Sequence, residues 1–195
     1  MRTTTLLLLA MLPAPLAAQH LSLAPEIGFY VPTEKLTKLT SASDFSEIEA
    51  GPSFGARIGL WFGKRIGVEA SGAYVPSTFK LSSSNTITKQ DAKLFLGSGQ
   101  LVVFLLPRTG LLTVFLDGGV GMIRRSGAAY ADATDKTDVS GVFGAGAGIR
   151  LGPLAVTGGA ELFNYSSGSS STTTDESPHQ RDIRFKLGFG IPFGR

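Results

Sequence analysis

The chain contains no cysteine. Disulfides, a thiol nucleophile, a zinc-thiolate centre and a cysteine-borne N-terminal lipid are therefore excluded. It has only two histidines, His20 and His179, and one tryptophan, so acid–base chemistry built on imidazole has little to draw on. Charged residues make up 17% of the sequence and leave a net charge of +3, too weak to point to nucleic acid as a partner. Beyond residue 18 no apolar run is long and charge-free enough for a helix across a bilayer, which takes roughly 20 residues.

What the chain does have is apolar residues in quantity, 43% of the whole, and 25 glycines, spread through segments that alternate. The first 18 residues differ from the rest. Arg2 is followed by an apolar run over 6–12 and a small, helix-breaking stretch over 13–18. This reads as an export signal cleaved after Ala18, since the run is too short to span a membrane. Residues 19–195 then form one domain.

Eight segments read as strands of about ten residues, the length a tilted strand needs to cross hydrocarbon. They cover about 21–31, 53–62, 66–74, 92–106, 112–123, 139–151, 154–163 and 180–193. The last alternates without a break: Ile183, Phe185, Leu187, Phe189, Ile191 and Phe193 on one face, Asp182, Arg184, Lys186, Gly188 and Gly190 on the other. Bulky residues outward with small or charged residues inward is the pattern of a membrane barrel. The fourth segment does not settle its own faces, because Lys93 and Gln100 have opposite parity; a bulge would reconcile them.

The connections alternate in length. Gly63-Lys64-Arg65, 107–110 and Gly152-Pro153 are tight, whereas 33–51, 78–91, 126–138 and 166–179 are long and polar. Short turns on the periplasmic side and long loops outside are the outer-membrane arrangement. A two-residue turn at Gly152-Pro153 sets Leu151 opposite Leu154, Ile149 opposite Val156, Ala145 opposite Ala160 and Phe143 opposite Leu162, all outward, as a period-two sheet requires. The first tight turn pairs Phe62 with Ile66 and Leu60 with Val68. Aromatic belts are expected at both interfaces: Phe62, Phe104 and Phe193 near the short turns, and Phe29, Phe54, Tyr74, Phe143 and Phe185 near the long loops.

These features predict an all-β chain, an eight-stranded antiparallel up-and-down transmembrane β-barrel, located in the cell outer membrane. The sequence resembles the small eight-stranded outer-membrane barrels of Gram-negative bacteria, the barrel half of the OmpA family and its OmpX-like relatives. The sharpest part of the resemblance is the end, from Lys186 through Gly188 and Ile191 to Phe193, similar to the signal such proteins present to the barrel-assembly machinery. Two departures stand out. Gly194-Arg195 follow the aromatic, and Pro192 removes one backbone donor, which a strand tolerates only at its end. No peptidoglycan-binding domain, as full-length relatives carry, is expected after the barrel.

The inward faces carry Glu26, Glu69, Asp117, Glu161 and Asp182 against Arg57, Arg150, Arg184 and Lys186. An eight-stranded lumen is narrow enough for side chains to fill, and buried charges must pair. A plug of ion pairs is therefore expected, with Arg150→Ala destabilising it by about a few kcal/mol. Arg124 and Arg125, at the outer end of the fifth strand, would meet lipopolysaccharide phosphates, which suit guanidinium forks; exposed strand ends carry such charges in any case.

No cofactor, metal or enzymatic activity is expected. Lipid A deacylases of this architecture use a Ser-His pair facing lipid, but Ser177 and His179 are two apart in a polar loop, which is not that geometry. The Gly144–Gly148 run lacks the following helix of a nucleotide loop. The reading is a structural or adhesive barrel with its extracellular loops as the contact surface. Its partners would be outer-membrane lipid and lipopolysaccharide, the assembly machinery and an extracellular ligand. The alternative is a narrow pore for ions or small solutes. A lipid A-modifying enzyme, or a soluble periplasmic carrier with the apolar lumen those charges deny, ranks below both.

Overall fold

A computed structural model of the chain describes residues 19–33, 37–38, 45–83, 86–130, 137–166 and 179–193. The proposed export signal, Ser177 and the Gly194-Arg195 departure lie outside the described residues. Among the described residues ten strands form one sheet: β1 (Gln19–Pro32), β2 (Thr37–Lys38), β3 (Phe45–Ile48), β4 (Gly51–Phe62), β5 (Ile66–Ser83), β6 (Thr86–Leu106), β7 (Leu112–Ser126), β8 (Thr137–Leu151), β9 (Leu154–Ser166) and β10 (His179–Phe193). Eight of them, all but β2 and β3, pair antiparallel with their chain neighbours. The ring closes through β1 and β10, from Leu21↔Phe193 to Pro32↔Asp182. Closure leaves no open edge inside the bilayer, where an unpaired backbone group has no water to turn to.

The apolar faces point outward, around the whole ring. Leu23, Ile27, Phe54, Ile58, Leu101, Leu116, Val120, Phe143, Leu187 and Ile191 are all exposed. A β-sandwich would have buried them against one another. The expected hairpin registers hold, with Leu151↔Leu154 through Phe143↔Leu162 across one turn and Phe62↔Ile66 and Leu60↔Val68 across another. Gly63 and Gly152 take φ values of 76° and 65°, the left-handed region that these tight turns demand and glycine enters without strain.

The fourth barrel strand, β6, needs no bulge between Lys93 and Gln100; its pairing is continuous from Ser83↔Thr86 down to Ile66↔Val103 on the β5 side. Gln100 is buried inward and Lys93 points outward. Both fit because β6 outruns the bilayer, so its outward face meets lipid at Leu101 and water near Lys93. The bulge that does exist lies lower, between Phe104 and Leu106 on the β7 side. Phe104 leaves the expected lipid belt, since it is buried inside the barrel.

Two of the long connections are also more ordered than their composition implies. Residues 78–83 and 86–91 continue the β5–β6 ladder. Within 33–51, β3 lies along β5 from Phe45↔Ser82 to Ile48↔Phe79, and β2 pairs with β3. The Glu49 N–H donates to the Thr78 carbonyl at 2.9 Å, and Ser77 Oγ donates to the Glu49 carbonyl at 2.6 Å. Lys80 and Lys89, directly opposite across the ladder, share the Glu49 carboxylate, which lies against Lys80 and 3.9 Å from Lys89.

The hydrogen bond from Lys80, together with the charges of Lys80 and Lys89, holds the Glu49 carboxyl below its usual range. A carboxyl that is more acidic when folded supports the fold above its unfolded pKa, near about 4.3, and withdraws that support as pH falls through the lowered value. Exchange protection of the Glu49 amide should therefore stay flat down to the ordinary carboxylate range and drop only in stronger acid. Protection unchanged into strong acid would show that the carboxylate does not hold this segment.

Candidate functional site

The lumen gathers most of the buried polar side chains among the described residues, and it is built in layers. Alternation aims one face of every strand inward, and the eight-strand ring is tight enough that these side chains meet across it.

The middle layer is ionic. Glu161 is its hub: Lys186 Nζ donates to Oε1 at 2.6 Å, Gln100 Nε2 to the same oxygen at 3.0 Å, and Arg184 Nη1 to Oε2 at 3.3 Å. Arg184 also reaches Glu26 at 3.0 Å through Nη2. Arg57 bridges Glu26 at 3.4 Å and Glu69 at 3.5 Å, and donates to Thr157 Oγ1. Arg184, Glu161 and Glu26 are almost fully buried. Out of water, such charges are tolerable only with partners on every side, and this layer supplies them.

Three residues expected in that network stand apart from it. Asp182 has no ionic partner among the described residues; it accepts from the Tyr165 hydroxyl at 2.6 Å and from the Tyr30 hydroxyl. Asp117 is buried with neither oxygen hydrogen-bonded among the described residues; the Gly144 opposite it has no side chain to donate. Arg150 lies towards the short turns and makes no ion pair among the described residues, leaving its Nε buried and unpartnered. The ion pair on which the expectation for Arg150→Ala rested is absent among the described residues, so no carboxylate there would lose a partner.

The outer layer is apolar with a polar latch. Tyr30, Val75, Leu94, Leu96, Ile123, Val142, Phe163 and Tyr165 pack together. Arg125 sits among them, paired with Asp138, donating to the Tyr165 hydroxyl at 3.0 Å and lying 5.4 Å from that ring. Arg125 is therefore not a lipopolysaccharide contact, because its side chain faces the lumen. The signal for this was in the alternation: Arg125 shares parity with the inward Phe115 and Asp117. Arg124 is exposed on the outer wall.

The layer nearest the short turns is aromatic. Trp61 meets Phe104 edge-on with centroids 5.2 Å apart, and Phe104 meets Phe115 at 5.6 Å. Trp61 Nε1 donates to Ser22 Oγ at 2.8 Å, which satisfies the one polar atom the ring buries. Above the turns a cavity of about 60 Å³ lies between this aromatic floor and the ionic layer. Gln100, Trp61, Tyr30 and Tyr165 were not singled out from the sequence as lumen residues, although the alternation placed Trp61 and Tyr30 on inward faces. No cluster suited to a metal ion occurs among the described residues.

The model of the outer membrane protein beta-barrel domain family matches residues 4–193. No curated protein matches the chain. Among solved structures, the chain is similar to the attachment invasion locus protein Ail of Yersinia pestis, solved with the heparin analogue sucrose octasulfate, at 17% identity over 90% of this chain and 99% of that one, with a TM-score of 0.54. It is also similar to Neisserial surface protein A, at 13% identity over 90% and 97%, TM-score 0.51. The N-terminal barrel domain of Pseudomonas aeruginosa OprF aligns at 10% identity over 89% and 97%, TM-score 0.50. At such identities the likeness speaks for the fold. With a closed eight-stranded ring, an outward apolar girdle and a family match that spans nearly its whole length, this chain belongs to the outer membrane protein beta-barrel domain family and is a protein of the outer membrane.

Proposed function

We propose that this barrel is a closed scaffold whose task is contact, holding a β-platform outside the cell for adhesion to an extracellular ligand. The observation that carries the reading is the β5–β6 ladder, which runs on past the barrel rim with β3 laid against it. A solute channel has no use for such an extension. An ionic layer enclosed between two apolar ones also argues against a path for ions. Ail was solved with a sulfated saccharide analogue, and a sulfated polysaccharide is the first ligand to try here.

The test is to replace residues 79–90 by an Asn-Gly turn and to display both forms on a Gram-negative host. The shortened form should lose binding to immobilised heparin and to host cells, yet still migrate differently unheated and boiled on a detergent gel. Planar bilayers containing the intact protein should show no sustained conductance. Full adhesion by the shortened form, or a steady channel current, would overturn the proposal.

Lipid and lipopolysaccharide are the further proposed partners. Arg124 lies outward directly opposite Phe95, with Lys93 one row farther out, and Tyr74 packs on Phe95 with centroids 5.1 Å apart. Rings at that level belong to the membrane interface, which puts Arg124 beside them and Lys93 just beyond them within reach of headgroups. Lys186, Gly188, Ile191 and Phe193 remain the proposed assembly signal, on the strand that closes the ring against β1.

A further inference from the structure

The end of the lumen nearest the short turns holds two arginines that no carboxylate answers. Arg108 stands in the turn between β6 and β7, anchored by its backbone N–H to the Lys64 carbonyl at 3.0 Å. Its guanidinium lies over the Trp61 ring, 4.6 Å from the centroid. Arg150, on the last inward position of β8, keeps a buried and unpartnered Nε. Neither arginine makes an ion pair among the described residues, and both line the cavity of about 60 Å³ together with Trp61, Phe104, Phe115 and Thr113. Burial, and then the neighbouring charge of Arg150, push Arg108 down to about 10, so it stays cationic at neutral pH.

The ionic layer above does not balance these charges. Glu69 and Arg57 also line the cavity, but they are paired with each other at 3.5 Å. The space is thus lined by two cations that no carboxylate pairs, Arg108 against Trp61 and Arg150, and by aromatic walls. Guanidinium groups recognise carboxylates through paired N–H donors, and the rings offer an apolar surface that a phosphate or chloride would leave unused.

We propose that the short-turn end of the lumen is a binding site for a small amphipathic carboxylate, held by Arg108 and Arg150 at its charged head with its apolar body on Trp61, Phe104 and Phe115. Thr113 supplies a hydroxyl beside the head group. The site lies at the end of the lumen opposite the β5–β6 platform, so it is independent of the adhesive reading.

Trp61 is the only tryptophan in the chain and so reports on the site directly. The experiment titrates the refolded full-length barrel, in a non-ionic detergent, with hexanoate while following tryptophan emission, with hexanamide as the neutral counterpart. A saturable change with hexanoate and none with hexanamide is expected. Arg150→Gln, which leaves no carboxylate without a partner and keeps the heat-dependent gel shift, should weaken the response by roughly tenfold or more, the scale of one lost charge-assisted contact. Absence of a saturable hexanoate response, an equal response to hexanamide, or undiminished affinity in Arg150→Gln would each overturn the proposal.

Discussion

Glu161→Ala is expected to lower the stability of the folded barrel by about 3–5 kcal/mol, the range for breaking a buried ion pair from one side. Glu161 takes donors from Lys186, Arg184 and Gln100. Without it Lys186 has no ion pair within 4 Å among the described residues, and Arg184 keeps only Glu26. The cost is the solvation that Lys186 cannot recover inside a filled lumen. The midpoint of urea unfolding in detergent micelles or lipid vesicles reads the change. The double substitution Glu161→Gln with Lys186→Met removes both members of the shortest pair that Glu161 makes and should regain most of the loss, since a buried pair exchanged for neutral groups of similar size is close to neutral. A double variant as unstable as Glu161→Ala would mean that the effect comes from packing around β9 rather than from the stranded charge.

The second large effect is steric. Gly119 faces the lumen on β7, and a Cβ placed there would run into the Gly99 carbonyl oxygen and come within 2.8 Å of Gln100 Cα. Both obstacles are main chain and cannot rotate away. Gly119→Val should therefore cost upward of roughly 3 kcal/mol, the top of the overpacking range, and is expected to abolish the heat-dependent gel shift or cut the folded yield severely. Gly99, one position from Gln100 on the lipid side, has nothing within 4 Å of a Cβ. Gly99→Val should stay within about 0.5 kcal/mol of the parent, as an unobstructed surface substitution does, with valine's strand preference in its favour. Equal outcomes for the two glycines would mean that the inner wall is less confined than its geometry implies.

That pair of glycines also shows how far alternation can be read. Parity in the chain placed Gly119 inward but left the face of Gly99 on the fourth strand open, and it does not tell which inward glycines are pressed against a neighbouring carbonyl. The same limit explains Arg125. Counting along β7 places it inward with Asp117; treating it as a companion of Arg124 placed it outward, and the count was the better guide. Lys93 failed in the opposite sense. It sits on the outward face of β6, and a lysine there looks wrong only if the whole strand is assumed to lie in lipid. The strand continues beyond the Phe95 row into water, and that continuation was hidden because 78–91 is polar and was taken for a loop. A polar two-stranded ladder has no apolar face to give it period two, so composition alone cannot distinguish it from an irregular connection.

The order of the strands, their direction, two hairpin registers and the outward girdle follow from local facts: a period of two, turn lengths, and glycines where the chain reverses. Each depends on residues close in the chain, and so each was legible from the linear chain. Which charges meet inside was not. Arg184 and Glu26 lie 158 positions apart and Gln100 and Glu161 lie 61 apart. Asp117 and Arg150, equally inward, meet no opposite charge among the described residues. Those outcomes depend on how far the ring is sheared when it closes, a property of all eight strands together, and only the tertiary structure decides it.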